Sequence, residues 1–198
     1  MAIVDDDRDV RVALKDLLRS VGLRTELFGS VQEFLNRSDT SSPSCLVLDV
    51  RLPGRSGLDL QRDLAKSGAN LPIVFVSGHA DVPMSVSAMK CGAIEFLTKP
   101  VRPQDLLDAI QLAIEKDNAQ RSAARVTAEI RKRISALTPR EREVMMLVVR
   151  GHPNKRIAAE IGISEGTVKL HRGQVMRKMK VRSVAELVRI ADKLASSA

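Results

Sequence analysis

Five residues with polar or charged side chains stand where short apolar runs of the sequence end. They are Asp5, Asp6, Asp49, Ser77 and Lys99. The runs have the length and composition of strands, and the carboxyl ends of parallel strands meet at one edge of a sheet. Carboxylates gathered there repel one another unless one is protonated or a cation lies between them. We therefore predict a site for a hard divalent ion that keeps several waters, with Mg²⁺ as the expected ion.

An aspartate in such a cluster can attack an activated phosphoryl group, because this reaction needs mainly positioning and charge neutralisation. Lys99 and Mg²⁺ would balance the transferred oxygens, and the Ser77 hydroxyl would bond one of them. The plainer alternative is that each polar residue only caps the helix after its strand. That alternative suits any one of these residues but is poor for all five together.

The elements that must position these residues are short. Within residues 1–118, the candidate strands cover residues 2–4, 24–28, 45–48, 73–76 and 94–97. Segments with helical spacing of apolar residues separate the strands. This alternation predicts an α/β domain, a doubly wound five-stranded parallel sheet over residues 1–118.

Charge is divided unevenly along the 198 residues. Residues 1–118 contain 14 Lys and Arg against 17 Asp and Glu, a net charge of −3, whereas residues 119–198 contain 18 against 7, a net charge of +11. A dense basic block favours contact with a phosphate backbone, although a merely solvated basic surface is the alternative. The chain has no Trp or Tyr, and its four Phe residues lie in the acidic part. Duplex DNA is therefore favoured over single strands or RNA, which are recognised by stacking.

No apolar run reaches the roughly 18 residues that a membrane span needs, and the first residues do not have the pattern of a signal peptide. We expect a cytoplasmic protein without a membrane partner. The two cysteines, Cys45 and Cys91, are expected to be reduced and structural.

The basic part contains a helical linker and then four short helices. Apolar spacing from Gln104 to Arg133 is helical but weak, so one long helix and a break near Asn118 both stay open. Capping-box patterns at 138–141 and 183–186 begin the first and last short helices, and two more helices lie near 155–161 and 165–178. We predict a linker at 119–134 and an all-α helix-turn-helix domain at 135–198.

The helix near 165–178 is the candidate DNA-reading helix. At 100° per residue, Val168, Val175 and Met179 face the core. The opposite face includes Gly166 and Gly173, which cost about 1 kcal/mol each relative to Ala, a cost explained if DNA approaches closely. Ordinary tolerance of glycine at a surface is the alternative. The expected DNA contacts are Thr167, Lys169, Leu170, His171, Arg172, Gly173, Arg177 and Lys178.

The acidic part resembles the receiver domain of two-component response regulators. The motifs that carry the resemblance are Asp5-Asp6 after an apolar run, Leu48-Asp49-Val50-Arg51-Leu52-Pro53 followed by Ser56-Gly57, and Phe96-Leu97-Thr98-Lys99-Pro100. Residues 77–93 are similar to the FixJ branch in particular. The resemblance implies a flavodoxin-like fold in which a sensor histidine kinase phosphorylates Asp49. It also implies that Asp6, Asp49 and the backbone carbonyl of Arg51 bind Mg²⁺, with Asp5 assisting through water.

The same resemblance assigns Ser77 and Phe96 as the switch pair and Lys99 as the phosphate-binding lysine, with a cis bond to Pro100. Two features depart from the usual pattern. Serine replaces the commoner threonine at position 77, and the first strand is short unless the true start lies upstream. The resemblance further implies that Val86, Lys90 and Glu95 form a dimer face after phosphorylation. The alternative is that Val86 packs inward and the linker helix already holds a dimer.

The basic part resembles the LuxR/NarL DNA-binding domain over about residues 135–194. The matching stretches are 137–144, 154–158 and 164–171. Together the two resemblances imply a FixJ-type regulator that binds double-stranded promoter DNA as a homodimer and activates transcription with RNA polymerase. Phosphorylation-independent regulation is the alternative among binding proteins. A phosphatase of the haloacid-dehalogenase class needs a second Asp two residues after its nucleophile, and Arg51 stands there, so we expect no enzyme.

Overall fold

The computed structural model describes residues 1–38, 42–78 and 81–195. The chain divides into two compact units, residues 1–121 and residues 122–198. None of the helices in the described part combines the length and the apolar character that crossing a membrane requires. Cys45 is buried and Cys91 is exposed, and both are free thiols.

The first unit contains a parallel sheet of five strands in the order β2-β1-β3-β4-β5, which confirms the predicted doubly wound fold. The strands are β1 Ala2–Val4, β2 Glu26–Phe28, β3 Leu46–Leu48, β4 Ile73–Ser77 and β5 Glu95–Thr98. The connecting helices are α1 Arg8–Ser20, α2 Val31–Leu35, α3 Gly57–Lys66 and α4 Val82–Lys90, and α5 Pro103–Ser135 follows β5. β2 begins two residues later than predicted. In this register Ala2 pairs with Glu26, so Arg24 has no partner on β1.

Side chains of the sheet alternate between two apolar clusters, as the period of two along a strand requires. Val4, Leu48 and Phe75 belong to one cluster, which also contains Leu60 and Ala88. The intervening strand residues belong to the other cluster, with residues of α1 and α5. Covering on both faces is typical of a parallel sheet, and it leaves the carboxyl edge free for a site.

The helix α5 shows no break near Asn118, so the open question about the linker is answered in favour of one helix, Pro103–Ser135. The first compact unit extends to Arg121. There Arg121 Nε lies 2.6 Å from Asp117 Oδ2, and Arg121 Nη2 donates to the Ser42 carbonyl at 2.7 Å. The domain bounds 1–118, 119–134 and 135–198 remain predictions.

The second unit contains α6 Pro139–Val149, α7 Asn154–Ile161, α8 Glu165–Met179 and α9 Val184–Ala195. The capping box between Thr138 and Glu141 is confirmed. In the second predicted box, Ser183 Oγ accepts from the Glu186 amide, but Glu186 accepts from the Arg182 amide and not from that of Ser183. The turn between α7 and α8 makes this pair a helix-turn-helix.

Candidate functional site

Asp5 and Asp49 lie directly after β1 and β3 and are held by hydrogen bonds to neighbouring strands. The Asp5 amide donates to the Phe28 carbonyl at 3.2 Å, and the Asp49 amide donates to the Val4 carbonyl at 2.8 Å. Both aspartates are buried, whereas Asp6 is exposed. One carboxylate oxygen from each of the three lies within 4.8 Å of the others. The structure therefore brings the predicted acidic cluster together.

Lys99 joins the two buried carboxylates. Its Nζ donates to Asp5 Oδ2 at 2.6 Å and to Asp49 Oδ2 at 2.8 Å. The backbone that carries it is tied to β4, because the Lys99 amide donates to the Ser77 carbonyl at 2.9 Å. The following bond to Pro100 is cis, as expected. Lys99 is thus placed to hold an anion next to Asp49.

Burial and pairing set the charges at this edge of the sheet. Burial raises the pKa of Asp5 above its ordinary 3.8, and hydrogen bonds from Lys99 and from the Asp7 amide only partly offset this rise. Burial also lowers the pKa of Lys99, but hydrogen bonds to Asp49 and Asp5 outweigh it and leave the Lys99 pKa raised. One ammonium group faces three carboxyl groups, so the cluster favours a further cation.

The donor set fits Mg²⁺. Three carboxylates within one ion's reach supply the oxygen ligands that this cation prefers, and the exposure of Asp6 leaves room for water ligands. The Arg51 amide donates to Asp49 Oδ1 at 3.0 Å, which orients the Asp49 carboxylate. The role of the Arg51 carbonyl as a ligand stays a prediction.

Ser77 is the last residue of β4 and is buried, with 1% of its surface exposed. Among the described residues its Oγ has no hydrogen-bond partner. A buried hydroxyl without a partner costs about 1–3 kcal/mol, so the group calls for a partner such as a phosphoryl oxygen. His79 and Ala80, which belong to the FixJ-like stretch, lie outside the described residues.

Three residues that support the site were not assigned roles from the sequence. Asp7 caps α1 and its amide donates to Asp5 Oδ1 at 2.9 Å. Arg11 Nη1 donates to the Asp5 carbonyl at 2.5 Å. A Cβ added to Gly57 would lie 2.2 Å from the Asp49 carbonyl oxygen, so only glycine fits there. The Asp7 cap had a sequence signal, an Asp before a helical pattern, and Gly57 lies in the receiver-like motif, whereas the Arg11 contact had no signal.

The predicted switch and dimer residues lie on β5 and α4. Phe96 is half-buried and stacks on Phe75 with ring centroids 5.8 Å apart. Val86 is 44% exposed, which excludes the alternative that it packs inward, and Lys90 and Glu95 are also exposed. These residues remain a predicted switch and a predicted dimer face.

The helix α8 has the two faces that its sequence predicts. Val168, Val175 and Met179 are buried, while Leu170 is 62% exposed. A Cβ on Gly173 would have no atom within 4 Å among the described residues, and one on Gly166 would meet only Ser164 Oγ at 3.6 Å. No contact within the described unit therefore requires glycine at either position.

Three of the predicted DNA-contacting cations have partners inside the second unit. Lys178 Nζ lies 2.6 Å from Glu141 Oε2, Arg172 is hydrogen-bonded to Asn154, and Arg177 to Gln174. The contact with Lys178, followed by that with the Thr138 amide, lowers the pKa of Glu141. Lys169 is exposed and has no ion-pair partner in the part of the chain that the structure describes. Of these four cations, Lys169 is thus the one that no partner among the described residues holds.

Known proteins resemble both units. Residues 1–111 match the response regulator receiver domain, and residues 135–191 match the luxR family of bacterial regulatory proteins. Nodulation protein W of Bradyrhizobium diazoefficiens is 50% identical, over 99% of this chain and 86% of that protein. The transcriptional regulatory protein FixJ of the same species is 40% identical, over 96% of this chain and 92% of that protein. A solved structure of the response regulator StyR is 46% identical, covers 97% of both chains and has a TM-score of 0.87.

Proposed function

The chain belongs to the two-component response regulators that join a receiver domain to a LuxR-type DNA-binding domain, and we propose that phosphorylation of Asp49 controls its binding to promoter DNA. The matched families are transcriptional regulators and not enzymes. A phosphatase of the haloacid-dehalogenase class needs a second Asp two residues after its nucleophile, and Arg51 occupies that position after Asp49.

The observation that carries the proposal is the position of Lys99 between the buried carboxylates of Asp5 and Asp49. In the transfer, an Asp49 carboxylate oxygen forms a bond to phosphorus while the bond from phosphorus to the donor, a kinase histidine nitrogen, breaks. Lys99 then exchanges part of its pairing with Asp49 for a phosphoryl oxygen, and the Ser77 hydroxyl donates to another. Asp6, Asp49 and the Arg51 carbonyl, with Asp5 assisting through water, would hold Mg²⁺, which would neutralise the developing negative charge.

The proposal extends to the consequences of phosphorylation. Ser77 and Phe96 switch position, the receiver forms a homodimer through α4 and β5, and α8 binds the major groove of a promoter. With RNA polymerase as partner, the bound dimer activates transcription. Because promoter DNA lies in the bacterial cytoplasm, we propose that location for the protein.

Incubation with acetyl phosphate and Mg²⁺, followed by phosphate-affinity electrophoresis, tests the assignment of Asp49. Wild type should be retarded and Asp49→Asn should not, because an amide cannot form the acyl phosphate. Asp16→Asn, at an exposed position of α1, is the matched control and should behave as wild type. Retarded Asp49→Asn protein would refute the assignment.

Promoter fusions in cells that carry wild type or Asp49→Asn test whether phosphorylation controls transcription and in which direction. Transcription that depends on Asp49 supports phosphorylation control, and the sign of the change separates activation from repression. Equal transcription with both proteins would favour a phosphorylation-independent regulator.

A further inference from the structure

The last turns of α5 belong to the core of the second unit. Ile130 is 5% exposed and packs in the same cluster as Val168, Val175 and Met179 of α8. Three residues further along α5, Arg133 Nη1 donates to the Met179 carbonyl at 3.1 Å. Arg133 Nε also lies 3.3 Å from Glu129 Oε1. Arg133 is thus held against the carboxyl end of α8.

The carbonyl that accepts this bond is in need of a donor. The last four carbonyls of an α-helix have no partner within the helix, and they carry its partial negative charge. At the end of α8, the Lys180 amide bonds the Arg177 carbonyl and the Val181 amide bonds the Met176 carbonyl, each at 3.1 Å. Neither of these bonds reaches Met179. A guanidinium group at this place satisfies the carbonyl and complements the charge of the helix end.

The end of α8 is also strained. Lys180 adopts a left-handed conformation with φ of 55°, and among the described residues it is the only one other than glycine with positive φ. A side chain in this region destabilises the turn. The turn persists only if surrounding contacts hold it, and Arg133 makes one of the contacts that do so.

We propose that Arg133 is a positioning residue for DNA recognition: by holding the Met179 carbonyl, it fixes the carboxyl end of α8 and so the orientation of the exposed face that carries Lys169 and Leu170. The inference rests on the proposed binding of DNA by α8. It adds a residue outside the helix-turn-helix, on the last turns of α5, to the set that determines how selectively α8 reads a sequence.

Arg133→Met removes the donor and keeps an apolar stem, and Arg131→Met is the matched control. Arg131 is exposed, lies two residues away and has no hydrogen bond or ion pair among the described residues. Arg131→Met therefore removes the same charge without breaking a contact. The first readout is hydrogen exchange of the Lys180 and Val181 amides in the full chain. Exchange should be about fivefold faster in Arg133→Met, as expected for the loss of one hydrogen bond, and unchanged in Arg131→Met.

The second readout is the ratio of affinities for a duplex that wild type selects from a random library and for a scrambled duplex. Arg133→Met should lower this ratio several-fold, whereas Arg131→Met should weaken both duplexes equally through lost charge. Arg133→Lys keeps a donor and a charge and should restore part of the ratio.

Arg133→Met protein that matches Arg131→Met in both readouts would overturn the inference. If Arg133→Met does not fold, Arg133→Ala takes its place, because it also removes the donor to the Met179 carbonyl, and unchanged exchange and selectivity in that variant would be equally decisive. A wild-type protein that shows no preference for any duplex would refute the proposed function instead. Hydrogen exchange would still test whether Arg133 stabilises the carboxyl end of α8.

Discussion

Gly57 stands next to Asp49, the proposed phosphoacceptor, at a position where only glycine fits. Its amide donates to the Val50 carbonyl at 2.9 Å, while an added Cβ would lie 2.2 Å from the Asp49 carbonyl oxygen. In Gly57→Ala either α3 or the Asp49 backbone must move. We expect the free energy of unfolding to fall by about 1–3 kcal/mol, and the rate of phosphorylation by acetyl phosphate to fall with the displacement of Asp49.

Gly78→Ala is the control for this variant. A Cβ at Gly78 would meet Lys99 only at ordinary contact distance, 3.8 Å, so its phosphorylation rate should stay near that of wild type. Rates are measured by phosphate-affinity electrophoresis at early times. Equal rates for Gly57→Ala and wild type would show that the backbone of Asp49 tolerates the shift.

Glu141 predicts a pH dependence for the second unit. Lys178, and then the Thr138 amide, lower its pKa below the ordinary 4.5. A carboxyl group with a lowered folded pKa stabilises the protein above its ordinary pKa, and this stabilisation is lost as pH falls through the folded pKa. Wild type should therefore lose stability below pH 4.5 more steeply than Glu141→Gln. Near neutral pH the variant should be less stable by about 1–3 kcal/mol.

Urea unfolding monitored by amide NMR signals of the second unit measures this effect, because the chain has no Trp or Tyr to report by fluorescence. The control is Glu143→Gln on the same helix, where the exposed carboxylate pairs, within the described residues, only with Arg140. Identical pH profiles for the two variants would contradict the role of the Lys178 contact.

The sequence predicted those site residues that lie at the ends of apolar strands. Asp5, Asp49 and Lys99 follow apolar strands and Ser77 is the last residue of one, and the parallel topology brings strand ends together whatever the details of packing. The contact of Lys99 with Asp5 joins positions 94 residues apart. Neither residue carries a local sign of this pairing, so the structure was needed to find it.

At the scale of elements, the strands were predictable because β1, β3 and β4 are buried on both faces and are apolar without interruption, in β4 as far as Ser77. The linker was not, because its polar, Ala-rich stretch near residues 117–125 buries too little apolar surface to show a period. The helix packs its apolar residues near its two ends and not along this stretch. Among the buried apolar residues are Leu106, Ile110 and Ala113 at one end and Ile130 at the other.

The helix α8 allows stability and DNA binding to be separated. Gly173 is exposed and has no neighbour that a Cβ would meet within the described residues. Gly173→Ala should therefore raise the free energy of unfolding of the second unit by about 0.5–1 kcal/mol through helix propensity. If DNA approaches the helix closely there, the same methyl group should weaken binding.

Thermal unfolding and electrophoretic mobility shift of the same Gly173→Ala preparation decide between the two explanations of this glycine. Greater stability with weaker binding supports close approach of the DNA. Greater stability with unchanged binding would mean that glycine is merely tolerated at a surface.

At the scale of the whole molecule, the exposed apolar side chains of α4 support the proposed dimer face. Val82, Val86 and Met89 are 74%, 44% and 43% exposed and follow one another at helical spacing. Lys90 at the end of α4 and Glu95 at the start of β5, of opposite charge, are also exposed. A surface that carries both signs of charge can pair with a second copy of itself about a twofold axis.

Beryllofluoride with Mg²⁺, a mimic of the phosphorylated state, should convert wild-type monomer to dimer by light scattering. Val86→Asp should prevent this while Asp49 is still phosphorylated by acetyl phosphate, because a charge would be buried in the interface. Val12→Asp is a closely matched control, since Val12 on α1 is 43% exposed. A wild type that stays monomeric, or a Val86→Asp protein that dimerises, would rule out this face.

The proposed dimer would raise affinity for DNA because it links two α8 helices, each of which binds one half-site weakly. If two receivers pair as proposed, binding of the second α8 to its half-site becomes intramolecular, and affinity can rise by roughly 10² or more without any new contact to DNA. This gain depends on both half-sites. On a duplex with two half-sites, phosphorylated Val86→Asp should bind about 10²-fold more weakly than phosphorylated wild type. On a duplex with one half-site the two proteins should bind equally, and a difference there would show that Val86 acts on the DNA-binding unit by some route other than dimerisation.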